Sequence, residues 1–238
     1  MIDKSFIREI VDNSAPTIVS INGLDYTDKD LSPVIPPIPT VLTVQYLDSL
    51  VAYCLERLEP ERRYIIHVEK PSRVVLRGDL DPKVRVRESY LVAEAFTSDF
   101  EFGVFMPNEQ FIIALQSEFV QDEQVADILK VVGNLETGST VGTKDDGVSQ
   151  VVEARVALAK TANVTLPNQI PLRPYRTFIE VEQPVSKFVL RIHADHRCAL
   201  FLADGGLWQI DAAKKVAKYI ENALKSVGAD IERITILA

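Results

Sequence analysis

The sequence predicts an α+β fold that combines antiparallel sheets, a helical hairpin and a C-terminal amphipathic helix. The first observation is a period-two alternation of apolar residues across residues 64–105, interrupted only by short turns. The second is that helical apolar periods occur in separate segments, with no long helix between neighbouring strands of the kind that parallel pairs require. With 238 residues, 47% of them hydrophobic, the chain is long enough to bury a sizeable core.

The N-terminal region, residues 1–42, is predicted to hold a short helix, a strand and an extended proline-rich segment. Apolar residues recur at helical spacing over residues 4–11, and a strand-like run follows at residues 17–21. The four prolines of residues 31–39 lack the backbone N–H that helices and central strands use, so an extended conformation is expected. We interpret this stretch as a rigid connector; a ligand for a proline-recognition domain is the alternative.

Residues 43–135 are predicted to form an α+β part. Thr43 is expected to cap a helix over residues 44–58. The strands that follow are predicted at residues 64–69, 74–78, 84–88, 90–96 and 100–105. Two further apolar stripes, over residues 108–119 and 122–135, predict a helical hairpin.

Residues 136–147 are predicted to be a flexible loop, because they hold three of the ten glycines and little that can be buried. The loop precedes a C-terminal β-rich part, residues 148–238, and whether the chain forms one domain or two depends on it. Strands are predicted at residues 148–159, 177–182, 188–193, 198–203 and 231–237. A closing helix is predicted over residues 211–224, with an apolar stripe from Ala212 to Leu224.

The net charge and the cysteine content indicate which binding partners and which cellular compartment to expect. The chain has 26 Lys and Arg against 34 Asp and Glu, a net charge of −8 that argues against indiscriminate nucleic-acid binding. Cys54 and Cys198 lie far apart with no CxxC spacing, so we interpret both as reduced core thiols. Because the sequence shows no leader and no apolar run near the ~20 residues that span a bilayer, we expect a cytoplasmic protein with no membrane partner.

Two C-terminal segments contain the candidate site for a ligand or partner. Residues 172–184 are rich in charge yet also fit a β-strand, where charged side chains are sparse unless they are paired or used. Residues 203–208 contain an Asp-Gly-Gly turn followed by the single tryptophan of the chain. The candidate binding residues are Arg173, Tyr175, Arg176, Glu180, Glu182, Gln183, Asp204, Gly205, Gly206 and Trp208.

The charged residues have two interpretations. Arg173 and Arg176 either form ion pairs with glutamates across strands, which is favoured, or together bind an anion. Glu180 and Glu182 are expected to share one strand face, which suits acid–base chemistry or a solvated sheet face. The Asp-Gly-Gly turn predicts a hairpin, and Trp208 beside it either packs locally or anchors an oligomer or ligand contact.

The sequence lacks the common catalytic and metal-binding patterns. Two of its three histidines, His193 and His196, lie near Cys198, but a turn does not converge ligands as two histidines on one helix do. No nucleophile-elbow, P-loop or dinucleotide-binding motif is present; the glycines of residues 138–142 lack the lysine and preceding strand of a P-loop. We therefore predict no metal, no cofactor and no catalytic residue.

Residues 173–178, 180–184 and 203–208 resemble segments of a family of uncharacterised proteins from tailed-phage and prophage genomes, defined only as a domain of unknown function. The resemblance covers most of the chain, from the predicted helix at residues 43–58 onward. It implies an early or accessory phage gene, in some members near recombination functions. It carries no catalytic residue over to this chain, since none is established in the family.

The first functional hypothesis is a non-enzymatic phage or prophage accessory protein that acts as a homo-oligomer and binds a phage or host protein or a small anionic ligand. The alternative is a nucleic-acid-associated protein of phage recombination or replication, which the net charge opposes. The basic residues that favour this alternative are Lys83, Arg85, Arg87, Arg173 and Arg176. A hydrolase that uses Glu180, Glu182 or Asp204 is the third hypothesis.

Overall fold

The computed structural model of this chain describes residues 3–14, 16–21, 24–28, 40–81, 86–133, 140–145, 149–155, 162–193 and 195–238. Contacts divide the chain into two compact units. The first consists of Met1–Ile38 with Asp81–Val86, and the second of Pro39–Leu80 with Arg87–Ala238. All ten candidate binding residues belong to the second unit.

In its described residues, the first unit contains one helix and one hairpin. Helix α1 spans Lys4–Ser14, and strands β1, Ile18–Ile21, and β2, Leu24–Thr27, pair antiparallel. Helix α1 confirms the helix predicted over residues 4–11. The predicted proline-rich connector, residues 31–39, lies outside the described residues.

The second unit combines four helices with three sheets in its described residues. Its helices are α2 Leu47–Arg57, α3 Asn108–Glu118, α4 Glu123–Gly133 and α5 Trp208–Ser226. Its strands are β3 Leu42–Val44, β4 Tyr64–Lys70, β5 Arg73–Leu80, β6 Arg87–Glu94, β7 Thr140–Asp145, β8 Ser149–Arg155, β9 Ala162–Pro167, β10 Ile170–Leu172, β11 Ser186–Ile192, β12 Cys198–Leu202 and β13 Ile234–Leu237. The α+β class, the helical hairpin α3–α4 and the C-terminal amphipathic helix α5 are confirmed.

The largest sheet has the strand order β13-β4-β5-β6-β3. Its centre is the predicted antiparallel arrangement, in which β4 pairs with β5 and β5 pairs with β6. Both edges are parallel pairs, β13 with β4 and β3 with β6, which the sequence analysis did not anticipate beside the predicted antiparallel strands. The sequence pattern reports only pairing between neighbours along the chain, whereas these edge pairs join distant segments.

The first hydrophobic core lies between one face of this sheet and helices α2 and α5. Alternate residues of β4 point into it, since Tyr64, Ile66 and Val68 are buried. The helices contribute Leu47, Leu50, Val51, Cys54, Val216, Ile220 and Leu224. The C-terminal helix therefore packs on strands that come from the first half of the chain.

The second hydrophobic core lies between the hairpin α3–α4 and the antiparallel sheet β10-β11-β12. Phe111 and Leu115 of α3 are completely buried, as is Phe188 of β11. Phe100 packs edge-on against Phe119 with ring centroids 5.2 Å apart. The strand predicted over residues 100–105 is wrong, because this stretch is an irregular loop whose aromatic rings enter the core.

Residues 136–147 were predicted to be a flexible loop, but the part of this segment that the structure describes is a strand. Thr140–Asp145 forms β7, which pairs antiparallel with β8, and β8 pairs with β9. Residues on both sides of this segment belong to the same compact unit. Within the described ranges, no helix has both the length and the apolar character needed to cross a membrane.

We expect Ile220→Ala to lower the free energy of unfolding by about 2–4 kcal/mol, because Ile220 is fully buried between α5 and the large sheet. Ile210→Ala, at an exposed position of the same helix, is the matched control, with an expected change within about 0.5 kcal/mol. Urea unfolding followed by far-ultraviolet circular dichroism measures both. Equal effects of the two substitutions would contradict the packing of α5 described above.

Candidate functional site

Residues 173–184 form an irregular loop that one buried side-chain amide holds together. The Gln183 Oε1 atom accepts hydrogen bonds from the backbone N–H groups of Arg176, at 2.8 Å, and Thr177, at 3.1 Å. Its Nε2 atom donates to the carbonyl oxygens of Thr177 and Phe178, both at 3.2 Å. The strand predicted over residues 177–182 is therefore wrong, because this amide satisfies backbone groups that a sheet partner would otherwise satisfy.

Glu180 caps a helix from which it is far removed in sequence. Its Oε1 atom accepts hydrogen bonds from the backbone N–H groups of Leu47, at 2.7 Å, and Asp48, at 3.3 Å, at the start of α2. A carboxylate is favourable there because the helix N-terminus carries partial positive charge and unpaired N–H groups. The predicted cap by Thr43 is wrong, since Thr43 lies in β3 and Tyr46 occupies the N-cap position without a side-chain bond of its own.

The predicted ion pairs across strands are replaced by other partners. Arg173 pairs with Asp122, with 3.2 Å between Nη2 and Oδ2, at the start of α4. Glu182 pairs with Lys215 of α5 at 3.0 Å, and this ammonium group lowers the pKa of Glu182. Glu180 and Glu182 therefore do not act as a pair on one strand face.

Arg176 is a buried cation held between aromatic rings. Its guanidinium carbon lies 4.5 Å from the ring centroids of both Phe102 and Trp208. Its Nη1 atom donates to Ser186 Oγ at 3.1 Å. Burial lowers the pKa of Arg176 to about 10, and the Asp204 carboxylate acts in the opposite direction. Arg176 and Trp208 thus form a contact within the chain, and Arg176 does not join Arg173 in a shared anion site.

The Asp-Gly-Gly turn joins a strand to a helix. Asp204 Oδ1 accepts a hydrogen bond from the Gly206 N–H at 3.1 Å. Gly205 and Gly206 have φ angles of 63° and 81°, which other residues adopt only at a cost. The predicted hairpin is wrong because Trp208 begins α5, where the apolar residues that follow the turn fit one helical turn as well as a strand.

A surface pocket lies beside the Gln183 loop, and we call it the aromatic pocket. Its apolar lining includes Tyr46, Ala95, Phe96, Tyr175 and Ile179, and its volume is about 420 Å³. Phe96 and Ile179 are each 76% exposed. The polar lining includes Ser98, Asp99, Glu118, Thr177 and Gln183. Of the ten residues selected from the sequence, Tyr175 and Gln183 line this pocket.

Hydrogen bonds fix the wall of the aromatic pocket. Ser98 Oγ donates to Glu118 Oε2 at 2.6 Å, and the Ser98 N–H donates to the Tyr175 carbonyl oxygen, also at 2.6 Å. The Tyr175 N–H donates in turn to the Glu118 carbonyl oxygen at 3.0 Å. Three segments distant in sequence are thereby joined: the end of β6 and its following loop, the end of α3, and the Gln183 loop.

Most of this pocket has no local signature in the sequence. Tyr46, Phe96 and Glu118 come from three separate segments that no local pattern connects. One usable signal was Phe96, a large aromatic residue placed directly before the polar Thr97, Ser98 and Asp99 at the end of a strand. Exposed apolar side chains mark a binding surface when they form a contiguous patch, and Phe96 shares its pocket with Tyr175 and Ile179.

The pocket lining carries little catalytic equipment. Its described residues include no histidine, cysteine, lysine or arginine. Elsewhere, His193 Nδ1 lies 2.6 Å from Asp195 Oδ1, and Cys198 is completely buried. Among the described residues, no group of three His, Cys, Asp or Glu side chains is placed to hold a metal ion.

The fold and the pocket define an α+β protein with an exposed pocket lined by aromatic side chains. No protein-family model matches the chain, and neither a curated protein nor a solved structure matches it. The resemblance to an uncharacterised phage family therefore stays a prediction.

We expect both thiols to be unreactive in the native protein. Burial raises the pKa of Cys54 and of Cys198 to about 12, so the thiolate is scarce at mildly alkaline pH. Ellman's reagent should label neither thiol rapidly in the folded chain and both in concentrated urea. Rapid labelling of the folded protein, assigned with Cys54→Ser and Cys198→Ser, would contradict their placement.

We expect Gln183→Ala to destabilise the fold by about 2–4 kcal/mol, because it leaves the buried N–H groups of Arg176 and Thr177 without an acceptor. Gln116→Ala is the matched control, since the Gln116 side chain is exposed on α3 and its expected effect is within about 0.5 kcal/mol. Urea denaturation measures both. A loss no larger than that of the control would show that the amide does not hold the loop.

Proposed function

We propose that this chain is a non-enzymatic recognition protein whose aromatic pocket binds a chemical group of another molecule. The observation that carries the proposal is the exposure of Phe96 and Ile179 at the rim of a pocket whose wall is fixed by hydrogen bonds. Leaving such side chains in water forgoes burial worth about 1.5–3 kcal/mol each. A prearranged concave surface recovers this energy when a ligand covers it.

The chemistry of the lining supports binding rather than catalysis. Ser98 is the residue that most resembles a nucleophile, and its hydroxyl donates directly to the Glu118 carboxylate. A serine nucleophile is normally activated by a base that a third group orients, and the part of the lining that the structure describes offers no histidine or lysine for that role. The three carboxylates of the hydrolase hypothesis have structural partners. Glu180 accepts a hydrogen bond at the start of α2, and Glu182 forms a salt bridge with Lys215. Asp204 accepts a hydrogen bond from the Gly206 N–H.

The nucleic-acid alternative receives less support. Arg87 pairs with Asp79, Arg173 pairs with Asp122, and Arg176 is buried between rings. Lys83 and Arg85 lie outside the described residues. The phage setting and the homo-oligomer remain predictions from the sequence, and the pocket proposal does not depend on them.

Amide chemical-shift mapping with a set of neutral, cationic and anionic fragments tests the proposal. We expect the perturbed amides to cluster at the aromatic pocket, around Phe96, Ser98 and Ile179. Phe96→Ser and Ile179→Ser should abolish these perturbations and change stability by less than about 1 kcal/mol, because both side chains are exposed.

Ile113→Ser supplies the control for this experiment. Ile113 is an exposed isoleucine on α3 that does not line the aromatic pocket, so its replacement should leave fragment binding unchanged. Perturbations centred on another surface, or perturbations that survive both pocket substitutions, would refute the assignment of the pocket as the recognition site.

A further inference from the structure

We propose that the aromatic pocket selects an organic cation, an ammonium or guanidinium group carried on an apolar stem. This inference rests on the proposed function and specifies the chemistry of the ligand. It follows from the charge, the aromatic character and the size of the pocket.

The charge of the lining has one sign. Asp99 and Glu118 are its ionisable acidic groups, and none of the described residues that line the cavity is a lysine, arginine or histidine. Over the described part of the chain, neither carboxylate forms a salt bridge with a basic side chain. An anionic ligand would meet these carboxylates at close range, whereas a cation gains from both of them. The net charge of −8 also attracts a cationic ligand at long range.

The rings of the lining are available to a ligand. Tyr46 is 52% exposed and Tyr175 is 37% exposed, beside the more exposed Phe96. Among the ring contacts of the described residues, none of these three packs against another aromatic ring. The face of an aromatic ring is the negative part of its quadrupole, so a cation over it is attracted. The same chain already holds the Arg176 guanidinium in this way between Phe102 and Trp208.

The size of the pocket indicates that the ligand has an apolar stem in addition to its cationic group. A volume of about 420 Å³ lies within the range of small-molecule sites and exceeds what a cationic head group alone fills. Ala95 and Ile179 supply apolar wall that matches a hydrocarbon stem. A neutral apolar ligand of the same shape would bury Asp99 and Glu118 beside it without a compensating charge.

A matched pair of probes tests the inference on the full-length protein. Choline and 3,3-dimethyl-1-butanol have the same shape, and only choline carries a positive charge. We expect choline to bind at the aromatic pocket about tenfold more tightly than the neutral alcohol, as measured by titration of amide chemical shifts. Equal affinities, a preference for the alcohol, or no binding of choline would overturn the inference.

Three substitutions locate the origin of the preference. Glu118→Gln removes one carboxylate charge while keeping an acceptor for Ser98, and Phe96→Leu removes a ring while keeping apolar surface. Each should reduce the preference for choline at least about threefold. Glu56→Gln is the control, because it changes the net charge by the same amount as Glu118→Gln. Glu56 is exposed on α2, away from the pocket lining, so its substitution should leave the preference for choline unchanged. A preference that survives both pocket substitutions would overturn the inference.

A second pair of probes identifies the source of the cation. A blocked tripeptide with a central arginine is compared with the same peptide containing citrulline, its neutral counterpart. Tighter binding of the arginine peptide than of choline assigns the pocket to a side chain of a protein partner, and the reverse order assigns it to a free amine. If the fragments map to the pocket but neither pair discriminates charge, the recognition function stands and the cation inference fails.

Discussion

The buried amide of Gln183 is the interaction on which the candidate site depends. A loop that enters the protein must satisfy its backbone N–H and carbonyl groups without a neighbouring strand. Gln183 supplies both an acceptor and donors to this loop, and it bonds to Arg176, Thr177 and Phe178. Because the amide fixes the loop, Tyr175 and Ile179 hold the positions at which they line the aromatic pocket.

The same loop explains why the charged residues of the C-terminal segments do not line the aromatic pocket. Glu180 serves the N-terminus of α2, Glu182 pairs with α5, and Arg173 pairs with the start of α4. Arg176 is enclosed by Phe102 and Trp208. These contacts attach the loop to three helices. The cavity beside the loop is lined instead by aromatic rings and by the carboxylates of Asp99 and Glu118.

The sequence predicts those helices and strands that depend on the spacing of apolar residues within a short window. The period-two strands around β4 and β5, the hairpin α3–α4 and the helix α5 follow from apolar spacing over short windows, and the structure confirms them. The failures share one cause. Residues 177–182 alternate as a strand does, and the residues after Gly206 fit either a strand or a helix, so local pattern alone did not decide between them. In both places a tertiary contact determines the local structure. The Gln183 amide does so for residues 177–182, and the packing of α5 does so for the residues after Gly206.

By itself, the sequence determined the α+β class, the burial of both cysteines and most helices, because these depend on composition and on spacing along the chain. It also placed Tyr175 and Gln183 among the residues of interest. Only the tertiary structure decided the parallel edges of the large sheet, the capping of α2 by Glu180 and the meeting of Tyr46, Phe96 and Glu118 around one cavity. These features join residues far apart in the chain, and a one-dimensional pattern carries no information on which distant segments share a surface.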